Sequence, residues 1–221
     1  EHLLWEKRTS GLKIQVWDTN DKRSLRFGNH ILQSVFLKNR PRHLFLPYTR
    51  FMMLALIFCP TPKSVLHIGL GGGSIARWMH LEFPEIFQTV IEINREVIEA
   101  ANIYFDLPSD SRMRLICADA TEIIPNFKEK FDLIILDAFS DYGTPDGVKQ
   151  IEFLKKLKDC LNDNSWLVGN LWTITGDFEK SRDQWKSIFS NVFQAKANDK
   201  GNVILYGSKI LQIPEKKLFE L

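Results

Sequence analysis

The chain has 221 residues, enough for one domain with a full core or one domain with a small appendage. Its 29 basic and 27 acidic side chains leave a net charge of +2, which gives no electrostatic reason to invoke nucleic acid or an anionic membrane. No stretch approaches the roughly 18 apolar residues of a membrane span, no signal-peptide pattern opens the chain, and Cys59, Cys117 and Cys160 are widely scattered; these features point to a cytoplasmic protein without a disulfide framework or a metal site.

In chain order, the N-terminal part reads as short strands: LKIQVWDT, SLRFGN and HILQSVFL, with a turn at Asn20-Asp21-Lys22 between the first two. Residues 1–47 are therefore expected to form a small antiparallel β region, set apart from a second unit at 48–221. Tyr48 to Phe58 is dense in Met, Leu and Phe and reads as a buried helix, ended by Cys59-Pro60-Thr61-Pro62.

From Ser64 onward, strand and helix patterns alternate. Strands are expected at 64–69, 88–93, 113–117, 132–137 and 165–171, and helices at 73–82, 95–105, 148–162 and 178–189. Helix 95–105 carries Val97, Ile98, Ala101 and Phe105 along one face, the spacing that packs on a sheet. NVFQAK and NVILYGSK then follow with only ANDKG between them. Parallel strands need a long crossover, so these two form an antiparallel hairpin. The fold class is thus α/β: five parallel strands plus a C-terminal antiparallel hairpin, the Rossmann-like layout of class I S-adenosylmethionine-dependent transferases.

Ligands of such sheets bind beyond the carboxyl ends of the strands. The first strand ends in Gly69-Leu70-Gly71-Gly72-Gly73, where glycine lets backbone approach a ligand closely. Glu92 ends the second strand about 23 residues later, placed to grip ribose hydroxyls. Asp119-Ala120 follows the third strand; Asp119 suits an adenine amino group or the N-cap of a short helix at 121–125. Asp137 closes the apolar run FDLIIL and faces the crevice where chemistry would occur. His67, inside the first strand, reads as a core histidine. Trp166, Trp172 and Trp185 read as core, and the EKKLFEL tail as a polar end or short helix.

SVLHIGLGGGSIAR, VIEINREVIEAANIYF, RLICADA and FDLIILDAFSDYGTPDGV resemble, in order and spacing, the spermidine synthase family of polyamine aminopropyltransferases. The resemblance implies that Glu92 binds the ribose, Asp119 and Ala120 the adenine, and Gln33 of HILQS the nucleoside, beside the glycines at 69, 71 and 72. Asp137 would be the catalytic base. Tyr48, Ser140, Asp141 and Tyr142, with Asp146 on the same loop, would meet the acceptor. Decarboxylated S-adenosylmethionine is the implied co-substrate, a polyamine the implied acceptor, and a homodimer an assembly left open.

Three positions depart from that family. Gly72 stands where its glycine loop carries an aspartate, Ser140 where its catalytic loop carries a second acid, and Arg50 where a glutamate is usual. These departures keep two other functions open: a methyltransferase using intact S-adenosylmethionine, and a non-catalytic nucleoside-binding relative.

Overall fold

The computed structural model describes residues 1–9, 11–28, 31–139, 143–173, 176–197 and 201–210. Four N-terminal strands, β1 (His2–Thr9), β2 (Leu12–Asp18), β3 (Lys22–Phe27) and β4 (Ile31–Leu37), form an antiparallel meander in that order. The β2–β3 turn closes where Thr19 N–H donates to Lys22 O at 2.9 Å. Strand β1 was not anticipated from the sequence. It is an edge strand exposed over most of both faces, so it lacks the alternation that marks a half-buried strand.

The expected helix after Tyr48 is shorter than its apolar content suggested. Helix α1 (Pro47–Met52) starts on a proline and gives way to a 3-10 turn at Met53–Ile57. The second sheet then assembles from β5 (Ser64–Ile68), β6 (Phe87–Glu92), β7 (Met113–Cys117), β8 (Phe131–Leu136), β9 (Leu161–Trp172), β10 (Asn191–Lys196) and β11 (Asn202–Ser208). Its order is β10-β11-β9-β8-β5-β6-β7. Strands β5 to β9 are mutually parallel, and β11 runs antiparallel to both β9 and β10.

Helices α2 (Ser74–Glu82), α3 (Arg95–Tyr104), α4 (Ala120–Ile123), α5 (Asp146–Lys149), α6 (Ile151–Asp159) and α7 (Phe178–Ile188) make the crossovers. The single helix expected at 148–162 is two, because Gln150 is extended (φ −66°, ψ 139°) and breaks the ladder between α5 and α6. No helix among the described residues is long and apolar enough to cross a membrane.

Central strands read as unbroken apolar runs because both faces are covered. Leu66, Ile68, Leu136 and Leu167 face a core shared with Leu157 of α6 and Trp185 of α7. Val65, Leu133, Ile135 and Val168 face the other side, against Met52 and Met79. The meander uses Ile14, Val16, Leu25, Phe27 and Phe36 to cover Val97 and Ala100 of α3 and Phe105 just after it. This packing brings β4 against the glycine-rich turn.

Candidate active site

A cleft with about 190 Å³ of space open to a water's centre lies at the carboxyl ends of β5, β6, β7 and β8. Gln33, Gly69, Gly71 and Glu92 line it, as do Asp119, Ala120, Asp137 and Tyr48. Gly72 does not; it is buried behind the loop. Ser140, Asp141 and Tyr142 lie outside the described residues.

The glycine-rich turn is shaped by contact as well as by φ. Gly69 has φ +95°, and a Cβ there would stand 2.4 Å from the Asp137 carbonyl oxygen. Only glycine lets β5 and β8 end this close together. Ser34 of β4 closes the turn from the other side, its Oγ accepting from the Gly72 N–H at 2.8 Å. A Cβ on Gly72 would lie 2.8 Å from the Ser34 Cβ. A side chain at 72, such as the family's aspartate, thus competes with Ser34 for one volume.

Glu92 is buried, yet its oxygens are held by backbone: Oε2 accepts from Leu70 N–H and Oε1 from Asn94 N–H, each at 2.9 Å. Burial raises its pKa above the usual carboxylate value, while these amide donors oppose the shift. Backbone N–H groups of Ile93 and Gly71 add to these donors, so the carboxylate is framed by the glycine-rich turn and the end of β6. Asp119 caps α4, with Oδ1 accepting from Thr121 N–H at 2.8 Å and Thr121 Oγ1–H at 2.7 Å. The capping role and the cleft-facing position coexist, because capping uses one oxygen.

Asp137 sits just beyond the end of β8. Its Oδ1 accepts from Asn170 Nδ2 at 2.9 Å and its Oδ2 from Tyr48 O–H at 3.2 Å. Burial pushes its pKa up to about 6, and the two donors only partly offset that. Asn170 was not identified from the sequence; its sole signal is an amide inside the apolar run WLVGNLW of β9. Ser34 was missed too, since a serine beside Gln33 carries no local mark of its contact with a turn 38 residues on.

Glu92, Asp119 and Asp137 line the cleft together, with no lysine or arginine among the described residues of its lining. Arg50 is exposed and stands outside that lining. Among the described residues, no group of three or more His, Cys, Asp or Glu is gathered to hold a metal ion.

A parallel sheet with a terminal antiparallel hairpin and acids at its strand tips defines the class I S-adenosylmethionine-dependent transferase fold. Residues 47–197 match the spermine/spermidine synthase domain. A polyamine aminopropyltransferase of Neisseria meningitidis serogroup A is 31% identical over 194 residues, spanning 86% of this chain and 74% of the relative. The chain belongs to the spermine/spermidine synthase family. In fold it is similar to spermidine synthase from Thermotoga maritima (TM-score 0.76, 20% identity, 97% of this chain and 75% of that one). It is also similar to human methyltransferase-like protein 13 in complex with SAH (TM-score 0.72, 22% identity, 79% and 88%). At these identities the two structures bear on the fold alone.

Proposed function

We propose that the protein transfers an aminopropyl group from decarboxylated S-adenosylmethionine to a polyamine acceptor. The observation that carries this reading is the charge of the cleft: among the described residues, three carboxylates and no basic side chain line it. Such a wall favours a sulfonium donor and an ammonium-bearing acceptor, and disfavours a pyrophosphate cofactor. Family membership agrees with it. No lysine or arginine among the described lining residues is placed to pair with a donor carboxylate, and Arg50 stands outside the cleft lining.

In this reading Glu92 takes the ribose hydroxyls, Asp119 with Ala120 the adenine edge, and Gln33 the nucleoside from the opposite wall. The donor supplies an electrophilic carbon beside its sulfonium, whose C–S bond breaks as the new C–N bond forms and leaves methylthioadenosine. An alkylamine of pKa near 10 is neutral in only about one molecule per thousand at pH 7, a cost of about 4 kcal/mol. The Asp137 carboxylate accepts the ammonium proton, which frees the nitrogen lone pair for attack. Asn170 and Tyr48 hold its two oxygens in place. Raising Asp137 to about 6 narrows the gap to the amine and makes it a stronger base than an exposed aspartate. A homodimer belongs to the same proposal and is read from light scattering.

The test is incubation of purified protein with decarboxylated S-adenosylmethionine and a panel of diamines and longer polyamines, followed by chromatography. Methylthioadenosine and an acceptor heavier by one aminopropyl group are expected in equal amounts. Methylated product from intact S-adenosylmethionine, with none from the decarboxylated donor, would overturn the reading.

A further inference from the structure

On the side of the sheet that carries α1 and α2, a second cavity lies behind Asp137. It offers about 20 Å³ of space open to a water's centre, and Asp137, Tyr48, His67 and Ser74 are among its walls. Roughly 10–15 Å³ suffices for one water when two to four polar groups face it.

Those groups have capacity to spare. Gln88 Nε2 donates to Ala76 O at 3.1 Å, which turns its Oε1 toward His67 Nε2, 2.9 Å away. An amide oxygen only accepts, so the imidazole proton sits on Nε2 and Nδ1 is left as an acceptor. Burial holds the ring neutral, with its pKa pushed down to about 4. Ser74 Oγ is buried with no hydrogen-bond partner among the described residues. A buried hydroxyl left unpaired carries a desolvation cost, which a water in the cavity would relieve.

We propose that this cavity binds one ordered water that accepts from the Ser74 hydroxyl and donates to both His67 Nδ1 and the Asp137 carboxylate. His67 and Ser74 are then positioning residues for the base. The assignment of Asp137 as base rests on the function proposed above; the water site does not. A water whose second hydrogen is claimed by His67 offers Asp137 a donor, which favours the ionised carboxylate. Among the described residues, the groups facing Asp137 are Tyr48 from α1, Asn170 from β9 and, through the water, His67 from β5 and Ser74 from α2. Tyr48 and His67 are the titratable members of that set.

The test needs no turnover. A crystal structure of the full chain, at a resolution that resolves waters, should show one water within hydrogen-bond distance of Ser74 Oγ, His67 Nδ1 and Asp137. Carbon-13 titration of the Asp137 carboxyl should show its pKa rising by about one unit in Ser74→Ala and in His67→Leu. His67→Gln, which keeps a donor and an acceptor, should restore most of the original value. A dry cavity, or a carboxyl pKa unmoved or lowered in Ser74→Ala, overturns the proposal. Because both readouts are independent of product formation, such a failure is distinguishable from a failure of the aminopropyl transfer reading.

Discussion

A carboxylate at the tip of an apolar strand loses most of its water, and Asp137 titrates near 6 for that reason, despite donors from Asn170 and Tyr48. Under the proposed function the base must be ionised, so log kcat/KM should fall with unit slope below about pH 6, and Asp137→Asn should lower kcat by about 100-fold or more. The same shift has a stability consequence of opposite sign. The folded chain binds this proton more tightly than the unfolded chain, whose carboxyl titrates near 3.8. The resulting stability is fully present below about pH 4 and is lost as pH rises through 6. Asp137→Asn should therefore stabilise the protein at pH 8, on the order of 3 kcal/mol, and leave it unchanged near pH 4. Thermal melts at the two pH values check this. An equal shift at both would show that the substitution acts through packing and not by removing a buried charge.

At the scale of elements, the glycine-rich turn is held between two partners that the local sequence does not reveal. Its front is closed by β8 through the Gly69 contact with the Asp137 carbonyl, and its back by Ser34 of β4. Installing the family's acid by Gly72→Asp alone should cost about 1–3 kcal/mol, since its Cβ would press on Ser34. Ser34→Gly in the same chain should recover only part of that loss, because the new Cβ would still stand 3.0 Å from Phe105 Cδ1 and the N–H at 72 would lose its acceptor. A double-mutant cycle of melting temperatures measures the coupling. Additive effects would mean that the turn relaxes away from β4 freely. The doubly wound elements were legible because their apolar runs and 3.6-residue periods are local properties. Strand β1 and the break at Gln150 were not, because an exposed edge strand carries no alternation and one extended residue leaves no compositional mark.

Across the whole molecule, the meander and the larger sheet are tied by Arg77 of α2. Its guanidinium donates to Phe105 O at 2.6 Å and to Pro41 O at 3.3 Å, and stacks on Phe36 with 4.6 Å to the ring centroid. Burial lowers its pKa to about 10, so it stays charged at neutral pH. Arg77→Met keeps the apolar stem but orphans two carbonyls. A loss of about 2–3 kcal/mol is expected, read as a melting temperature lower by roughly 5–10 °C. Under the proposed function donor affinity should weaken with it, because β4 carries Gln33 and Ser34 to the cleft, while the acidic limb near pH 6 stays put. A shifted limb would instead place Arg77 in the electrostatics of Asp137.

The sequence by itself determined the class of fold and the acids at the strand tips. Strand runs, helix periods, glycine turns and the residue that ends a strand are all set within a few positions along the chain. Only the tertiary structure decided what those acids touch. Asn170 reaches Asp137 across 33 positions, Tyr48 across 89, and Ser34 meets Gly72 across 38. It also decided that Arg50 stands outside the cleft lining and that His67 stands behind Asp137. A carboxyl's charge state depends on how much water and how many donors surround it, and those surroundings are assembled from distant segments, which local patterns in the chain do not record.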